Sequence, residues 1–419
     1  MCAAKEMSAQ AKSVVRGQIM IDVKEFLRTR SVEEINRAAE EFFAKIEDWT
    51  YVLAKPFAAP DDCAKLLIEF WAVLQGLAVC PMMDVLDFGA GSCWAAYFLT
   101  QMGCKVYACD VSSTALEMGR TLYQKHPPFG NQPPPEFLLF DGFRIPLPDQ
   151  SVDRILCMHA LHHVPNVSHV LAEMARVLRD RDGIAAFTEP GPAHSKSQIS
   201  QRELENGVLE NDIVIEDIGK WARAAGFKRL ELTVFPIERV SLSLEDYGRF
   251  IAGDSKVGQA VLSPIRKHAE LMRTFFLYKE DSSVMWSSSA RGLAAELEVR
   301  LSGNVFHSGS VIQAEAVVRN TGQAVWLQGG LRAGTVNLGF HLKNLRTGEY
   351  FNDYGGRAAL DPDHPVEPGR TIRLQASIPA PAPGSYELTF DLVSEWVCWF
   401  ADRGLSRAVS FQIEVTKLV

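Results

Sequence analysis

The sequence lacks the features that mark several common classes of protein. Its eight cysteines are scattered and include no Cys-x-x-Cys pair, so neither a disulfide framework nor a cysteine-rich zinc site is indicated. No apolar run approaches the ~18 residues of a membrane helix, and no basic-then-apolar leader opens the chain. We therefore expect a cytoplasmic protein that has reduced thiols and no membrane span.

Positive charge is also scarce. The chain has 43 Lys and Arg against 51 Asp and Glu, a formal net charge of −8, and no visible basic patch. Because affinity for nucleic acid comes largely from such patches, we expect no nucleic-acid partner. A 47% apolar share is that of a globular protein, and 419 residues are enough for two or three domains.

The main feature of the sequence is an apolar strand that runs into a glycine turn, Val85-Leu86-Asp87-Phe88-Gly89-Ala90-Gly91-Ser92-Cys93-Trp94. Gly89 and Gly91 allow a sharp turn whose backbone N–H groups can approach a nucleotide-like ligand. Asp110 ends the next apolar run. An acid about 20 residues beyond such glycines can accept both hydrogen bonds of a ribose diol.

Four later motifs strengthen this interpretation. They are Phe140-Asp141-Gly142, Leu147-Pro148-Asp149-Gln150-Ser151-Val152-Asp153, Leu161-His162-His163-Val164 and Met174-Ala175-Arg176-Val177-Leu178. In order and spacing the chain resembles the class I S-adenosylmethionine-dependent methyltransferases, specifically their small-molecule branch. Cys93 departs from the family's third glycine, at a position that tolerates small side chains. The resemblance implies S-adenosylmethionine as the cofactor.

The resemblance also implies roles for single residues. Asp87 would order the turn and the cofactor's amino group, Val111 would pack against the adenine, and Asp141 would accept from its exocyclic amino group. The expected cofactor-binding residues are Asp87, Gly89, Ala90, Gly91, Asp110, Val111, Asp141, Gly142, Met158 and His159, with Lys55 as a candidate partner for the cofactor's carboxylate. Any of the strand-end acids could instead cap the following helix.

The group that accepts a proton from the methyl acceptor stays open among four candidates. His162 and His163 follow the fourth strand, where catalytic groups gather in α/β sheets, although a structural role is the alternative for both. Glu189 and His194 lie beyond the fifth strand, and histidine suits base chemistry near neutral pH. A mechanism without a side-chain base is a further alternative. Glu189, His194 and Asp212 have no recognised metal-ligand spacing, so we predict no metal.

Alternating strands and helices predict a doubly wound, Rossmann-like parallel sheet over residues 81–283. The predicted strands are 84–88, 105–110, 136–141, 153–158, 183–188, 228–235 and 273–279, and the predicted helices are 93–102, 112–124, 166–179 and 215–225. Before them, a helical segment over residues 1–80 carries a capping box at Ser31 and helices at 31–46 and 62–77. Its aromatic residues Tyr51 and Phe57 either cover the cofactor or simply pack.

The hydrophobic pattern of the sequence changes after the serine-rich stretch near 282–289. Short alternating apolar runs at 311–319, 336–343, 371–377, 385–393 and 408–415 predict an all-β sandwich of about seven strands over residues 291–419. This part resembles the immunoglobulin-like sandwich of O-antigen exporter ATPases, through Val318-Arg319-Asn320-Thr321-Gly322, Trp326, Pro368-Gly369 and Pro383-Gly384-Ser385-Tyr386. Strand alternation predicts that Trp396 lies in the core and makes Trp399 the candidate for a surface contact, while burial of Trp326, Trp396 and Trp399 alike is the alternative.

These features lead to one main hypothesis and two alternatives. The main hypothesis is a methyltransferase that acts on a sugar hydroxyl or another small glycan-linked acceptor, with the sandwich recognising the glycan. One alternative is a methyltransferase for a lipid or specialised metabolite, and the other is a non-catalytic glycan-binding or scaffold protein. The last alternative is disfavoured because a non-catalytic protein would have no physical reason to retain all five expected cofactor-site residues, Asp87, Gly89, Gly91, Asp110 and Asp141.

Overall fold

The computed structural model describes residues 20–129, 132–281, 284–328, 330–361 and 364–417. The described part begins with the helices α1 (Val23–Thr29), α2 (Val32–Ala44), α3 (Thr50–Leu53) and α4 (Pro60–Leu77). The capping box predicted at the start of α2 is confirmed, because the Ser31 side chain accepts the Glu34 N–H and the Glu34 carboxylate accepts the Ser31 N–H.

A seven-stranded sheet follows, with helices between its strands. The strands are β1 (Asp84–Phe88), β2 (Lys105–Asp110), β3 (Glu136–Leu139), β4 (Arg154–Met158), β5 (Ile184–Pro190), β6 (Arg229–Thr233) and β7 (Met272–Tyr278). The helices are α5 (Trp94–Gln101), α6 (Ser113–Lys125), α7 (Val167–Val177), α8 (Gln198–Glu205) and α9 (Ile215–Ala225). The spatial order is β3-β2-β1-β4-β5-β7-β6, and β7 runs antiparallel to both neighbours. The predicted Rossmann-like sheet is confirmed, but the prediction that all of its strands are parallel was wrong for β7.

Strand β1 sets the position of the site. All five of its residues are buried, and it pairs in parallel with β2 on one side and with β4 on the other. The connections therefore leave β1 in opposite directions, which opens a crevice at the carboxyl ends of these strands. The glycine turn and Asp110 lie at this edge of the sheet.

The connection between β6 and β7 carries two helices that the sequence did not predict, α10 (Leu244–Ile251) and α11 (Ser255–Leu271). Pro264 lies inside α11, and proline normally interrupts a helical pattern. Because Met272 at the start of β7 pairs with Pro190 at the end of β5, the connection returns to the sheet at its carboxyl edge. This helical insertion, residues 234–271, therefore flanks the same edge as the glycine turn.

The C-terminal region is built from strands. They are β8 (Met285–Trp286), β9 (Ala295–Leu301), β10 (Val305–His307), β11 (Val311–Asn320), β12 (Ala324–Val325), β13 (Val336–Asn344), β14 (Tyr350–Ala359), β15 (Thr371–Pro379), β16 (Gly384–Ser394), β17 (Cys398–Trp399) and β18 (Val409–Thr416). One sheet has the order β15-β11-β9 and a larger one the order β10-β18-β16-β13-β14. Ile312 of the first sheet and Phe390 of the second belong to one buried core, so the two sheets pack together.

The prediction for Trp396 was wrong. Strand β16 ends at Ser394, and Trp396 lies in a turn at φ +62°, where its side chain is 53% exposed. Strand alternation does not apply across such a turn, which is why the sequence pattern misassigned it. Trp399 is partly buried, with the Arg357 guanidinium 4.8 Å from its ring centroid.

The α/β region and the strand-rich region contact each other at the amino-terminal edge of the first sheet. Arg332 Nη2 donates to Asp84 Oδ2 at 2.8 Å, and Ser288 Oγ donates to the Asp182 carboxylate. Ser282 and Ser283, where we placed the domain boundary, lie outside the described residues. Among the residues that the structure describes, no helix combines the length and the apolar composition needed to cross a membrane.

Candidate active site

The glycine turn is held tightly against β2. The N–H groups of Gly89 and Ala90 both donate to the Cys109 carbonyl, at 2.8 and 3.0 Å. Gly89 has φ +70° and Gly91 has φ +51°, and a Cβ at position 89 would lie 2.2 Å from the Ala160 Cβ. Gly89 is therefore required both by its backbone conformation and by the close approach of the chain after β4.

Two buried carboxylates flank this turn. Asp110 Oδ2 accepts the Gly91 N–H at 2.8 Å and Asp110 Oδ1 accepts the Ser112 N–H at 2.9 Å, while Asp87 Oδ2 accepts the Ala96 N–H at 3.0 Å. Burial raises the pKa of Asp110, although these N–H groups oppose the shift. Burial, with a contribution from the Asp110 charge, raises the pKa of Asp87 to about 7. The turn therefore lies in an environment that favours a cationic ligand.

The other residues predicted at the adenine end are less enclosed. Asp141 is exposed, and its Oδ1 accepts the N–H groups of Phe143 and Arg144, both at 2.7 Å. Gly142 has φ +95°, with α2 close above it. Ala90 is buried in the turn, whereas Val111 and Met158 are half-buried against the apolar cores on either side of the sheet.

The N-terminal helices lie across this edge. Glu40 of α2 accepts from Ser112 Oγ at 2.6 Å and from Thr114 Oγ1 at 2.5 Å, so it caps the amino terminus of α6 from another element. Val52 accepts from Ser92 Oγ at 3.0 Å, which ties α3 to the glycine turn. Lys55 follows α3 and is partly buried, and burial lowers its pKa. The segment predicted either to cover the cofactor or to pack thus lies directly over the turn.

His159 points toward the N-terminal helices. It has φ +53°, and its Nε2 lies 2.8 Å from Oε2 of Glu69, a fully buried residue of α4. Glu69 Oε1 has no hydrogen-bond partner within the described part of the chain. A buried acceptor of this kind is costly unless a ligand donates to it.

Glu189 organises the turn after β4. Its carboxylate is fully buried and accepts the N–H groups of Ala160 at 3.0 Å, Leu161 at 2.8 Å and His162 at 3.2 Å. The same carboxylate lies 2.6 Å from His162 Nδ1. Burial opposes ionisation, but His162 and the backbone donors hold the pKa of Glu189 below its usual value. Glu189 therefore contacts the protein's own groups on several sides.

The three histidines that were predicted as candidate bases, His162, His163 and His194, surround Glu210, which was not predicted as a site residue. His194 Nε2 lies 2.5 Å from Glu210 Oε2, His162 Nε2 lies 4.0 Å from the same atom, and His163 Nδ1 lies 3.5 Å from Glu210 Oε1. Burial and the neighbouring His162 lower the pKa of His163 to about 4, although one edge of its ring is open to solvent. Asp212 lies outside this group, because its carboxylate binds the N–H and the hydroxyl of Ser195.

Sequence reasoning missed three acids of this region: Glu40, Glu69 and Glu210. Glu69 is the one that the sequence could have indicated, since it is a lone acid in the apolar run Leu66-Leu67-Ile68-Glu69-Phe70-Trp71-Ala72-Val73-Leu74. A charge on the buried face of a helix usually has a specific partner. Glu40 and Glu210 are recognisable only from the elements that the fold brings to them.

Comparison with known proteins agrees with this geometry. The family described as "Methyltransferase domain" matches residues 86–187, which run from β1 to β5 and include the glycine turn, Asp110 and the paired histidines. The chain contains a class I S-adenosylmethionine-dependent methyltransferase domain.

Curated relatives match the same region. The methyltransferase domain is similar to Methyltransferase GfsG of Streptomyces halstedii, 35% identical over 23% of this chain and 34% of that protein. It is also similar to a demethylmenaquinone methyltransferase of Clavibacter sepedonicus, 27% identical over 39% of this chain and 74% of that protein. For two of the first relatives, the chain spans only 34% and 49% of their length.

Among solved structures, the fold is similar to phosphoethanolamine N-methyltransferase 2 of Haemonchus contortus in complex with S-adenosyl-L-methionine. That match has 16% identity, covers 62% of this chain and 60% of the other, and has a TM-score of 0.37.

The residues at the carboxyl edge fit S-adenosylmethionine, which carries an ammonium group, a sulfonium and a ribose diol. Asp87, Asp110 and Glu69 are buried carboxyl groups that gain from a cation or from hydroxyl donors. The missing Cβ atoms of Gly89 and Gly91 leave the backbone of the turn free to approach it. When bound, the cofactor supplies a methyl carbon that its sulfonium already activates.

Proposed function

We propose that this protein transfers a methyl group from S-adenosylmethionine to an apolar small molecule, such as a lipid or a specialised metabolite. The observation that carries the acceptor class is the helical insertion at residues 234–271, which flanks the edge of the sheet where the cofactor would bind. Acceptor-binding elements in open α/β sheets lie at this edge.

The insertion presents an apolar face to solvent. Leu244 is 90% exposed, Ile251 66% and Tyr247 55%. An open groove of about 590 Å³ lies between α10 and α11 and is lined mainly by Val240, Leu242, Leu244, Tyr247, Phe250 and Val261. Small-molecule sites have volumes of about 300–1,000 Å³ and predominantly apolar walls, so the groove has a suitable size and character. The name of the Clavibacter relative, demethylmenaquinone methyltransferase, also favours a lipid-like acceptor.

The competing acceptor is a sugar hydroxyl or a glycan. Its support is the resemblance of residues 291–419 to the immunoglobulin-like sandwich of O-antigen exporter ATPases. The two packed sheets and their common core are consistent with an immunoglobulin-like domain, a class that also serves purely structural roles. The exposed apolar groove favours the lipid or metabolite over the glycan.

Within the proposed site, each side has a different task. Asp110 would bind the ribose diol, and Glu69 and Asp87 would face the cationic end of the cofactor. On the acceptor side, Glu189 is a positioning residue, because it orients His162 and fixes the turn after β4. His194 remains a candidate base, since 25% of its side chain is exposed and Glu210 lies against its Nε2.

Cofactor binding is tested by titration calorimetry on the full chain and on Asp110→Ala. Loss of two charge-assisted hydrogen bonds, each about 1.5–3 kcal/mol, should weaken binding of S-adenosylmethionine at least about tenfold. Asp149→Ala is the matched control, because Asp149 is an exposed acid paired with Arg176 away from the turn. An unchanged dissociation constant for Asp110→Ala would refute the assignment of Asp110 to the binding of S-adenosylmethionine.

The acceptor class is tested by methyl transfer from radiolabelled S-adenosylmethionine to two panels. One contains isoprenoid quinols and hydroxylated polyketides, and the other contains nucleotide sugars and oligosaccharides. We expect transfer to the apolar panel, with KM raised at least about tenfold by Leu244→Asp, which places a charge in the groove. Transfer to the sugar panel alone, unaffected by Leu244→Asp, would establish the glycan alternative.

A further inference from the structure

Three side chains from three separate segments converge near the carboxyl edge of the sheet. His162 lies in the short turn after β4, His194 in the turn after β5, and Glu210 in the segment between α8 and α9. One ring nitrogen of each histidine and one carboxylate oxygen of Glu210 all lie within 4.8 Å of one another. Two imidazoles and one carboxylate are a common ligand set for a divalent cation.

The orientation of His162 suits a ligand. Its Nδ1 lies 2.6 Å from Oε2 of Glu189, a buried carboxylate, so Nδ1 carries the hydrogen and Nε2 carries a lone pair. That lone pair faces the group formed by His194 and Glu210. Histidines that bind metals typically donate their other ring N–H to a carboxylate or a carbonyl in this way.

Glu210 is also prepared for a cation. Its carboxylate is buried, and Oε2 lies 2.5 Å from His194 Nε2 and 4.0 Å from His162 Nε2. Its second oxygen, Oε1, lies 3.5 Å from His163 Nδ1, which also lies 2.6 Å from the Leu209 carbonyl oxygen. Glu210 Oε2 therefore faces His162 and His194, whereas Oε1 lies next to His163.

We propose that His162, His194 and Glu210 bind one divalent cation of the zinc type, with a fourth position open to water or to an acceptor oxygen. His162 and Glu210 are buried and His194 is partly exposed, so the open position lies on the accessible side of the group. Two histidines, one glutamate and an open position form the ligand set of many catalytic zinc sites. This inference deepens the proposed function, since the cation would orient the acceptor.

The distances suit such an ion after small movements. Zinc bonds of 2.0–2.1 Å in a tetrahedron place ligand atoms roughly 3.3 Å apart. In the structure, Glu210 Oε2 lies 2.5 Å from His194 Nε2 and 4.0 Å from His162 Nε2, one separation below and one above that value. The three separations are at most 4.8 Å, so movements of about 1–1.5 Å at the ends of these side chains would form the site. With a cation bound, His194 is a ligand, and the proton of the acceptor is then lost to water.

The test uses the full chain after treatment with EDTA and dialysis. Co²⁺ is titrated while visible absorption is recorded, and Zn²⁺ content is measured separately by mass spectrometry. We expect one cation per chain, an intense tetrahedral Co²⁺ spectrum, and at least about tenfold weaker binding in His194→Ala and Glu210→Gln. His307→Ala and Glu216→Gln are the matched controls, because both residues are exposed and lie in other elements.

Three results would overturn the metal site: no cation bound by the wild-type chain, equal affinity in His194→Ala and wild type, or equal loss in the controls. If Glu210→Gln fails to fold, His194→Ala decides the question, because its ring is partly exposed and melting curves show whether it is folded. Calorimetry with S-adenosylmethionine on the same EDTA-treated protein separates the two proposals. Intact cofactor binding without metal binding refutes the cation site alone, whereas absent cofactor binding refutes the proposed function.

Discussion

The Nδ1 atom of His162 lies 2.6 Å from Oε2 of Glu189, and this buried contact joins the turn after β4 to the end of β5. Glu189 also accepts three backbone N–H groups, from Ala160, Leu161 and His162. One carboxylate therefore determines both the path of the chain beside the glycine turn and the orientation of the His162 imidazole.

Glu189→Gln should destabilise the protein strongly. A glutamine must direct its NH₂ group toward donors that now face a carboxylate, and each unsatisfied buried donor costs about 1–3 kcal/mol. We expect the free energy of unfolding in urea to fall by about 3 kcal/mol. Glu216→Gln, an exposed change on α9, should alter it by less than about 0.5 kcal/mol. Equal stability of the two variants would contradict the positioning role.

Asp87 should make the stability of the cofactor-free protein depend on pH. Its pKa is about 7 in the folded chain, above its value of 3.8 when unperturbed, so the folded state binds the extra proton between these values. Its contribution to stability is fully present below pH 3.8 and is lost as the pH rises through 7, at up to about 1.4 kcal/mol per pH unit.

The measurement is urea unfolding at several pH values from 5 to 8. Asp87→Asn keeps an oxygen for the Ala96 N–H but cannot titrate, so its stability should fall less steeply over this range. Burial raises the pKa of Asp110 as well, but it lowers the pKa of His163 to about 4, so the slope left in Asp87→Asn combines a contribution from Asp110 that falls with pH and one from His163 that rises with pH. Identical slopes in wild type and variant would show that Asp87 is ionised throughout.

Glu40→Ala should release the N-terminal helices from the cofactor edge. The variant loses the hydrogen bonds from Ser112 and Thr114, which join α2 to the start of α6. We expect faster hydrogen exchange in α2 and about fivefold weaker binding of S-adenosylmethionine, because hydrogen bonds to a charged group are worth about 1.5–3 kcal/mol when not screened by solvent.

Glu41→Ala is the matched control for this prediction, because Glu41 is the next residue of α2 and is exposed. If Glu40→Ala and Glu41→Ala bind the cofactor with equal affinity, the N-terminal helices merely pack on the domain, which is the alternative that the sequence left open.

A chain that ends at Asp281 should still fold and bind S-adenosylmethionine with an affinity within about twofold of the full chain. It loses the contact of Arg332 with Asp84, but Asp84 keeps Arg179 at 3.0 Å and Lys105 at 3.5 Å. Arg332 is 55% exposed, and a pair with one such partner contributes little to stability. An insoluble shortened chain would show that the two regions share a folding unit.

The fold of the methyltransferase domain was largely predictable because local signals agree with it. The bounds of β1, β2 and α9 match the prediction, since β1 and β2 are apolar runs that end at a glycine turn and at an acid, and α9 is an amphipathic helix that ends at Gly226. Helix α11 of the insertion was not predicted because Pro264 interrupts its helical pattern. The burial of Trp396 was predicted wrongly because the strand ends at Ser394 and a turn follows.

The candidate site was predictable only in part. The sequence indicated both the glycine turn and Asp110, although it did not predict the hydrogen bond from the Gly91 N–H to Asp110. The contact of Glu69 with His159 spans 90 residues, and that of Glu40 with Thr114 spans 74. Such pairs depend on how whole helices dock, and no local pattern in the chain encodes them.

Arg332 touches the first residue of β1, whereas the glycine turn follows its last. Five strand residues place these two points about 13 Å apart along the strand, on opposite rims of the sheet. The length of β1 thus sets the distance between the glycine turn and the junction with the strand-rich region. A compact single-ring acceptor bound at the proposed site beside the glycine turn would not reach this junction, and only an extended molecule that runs around the outside of the domain would contact both.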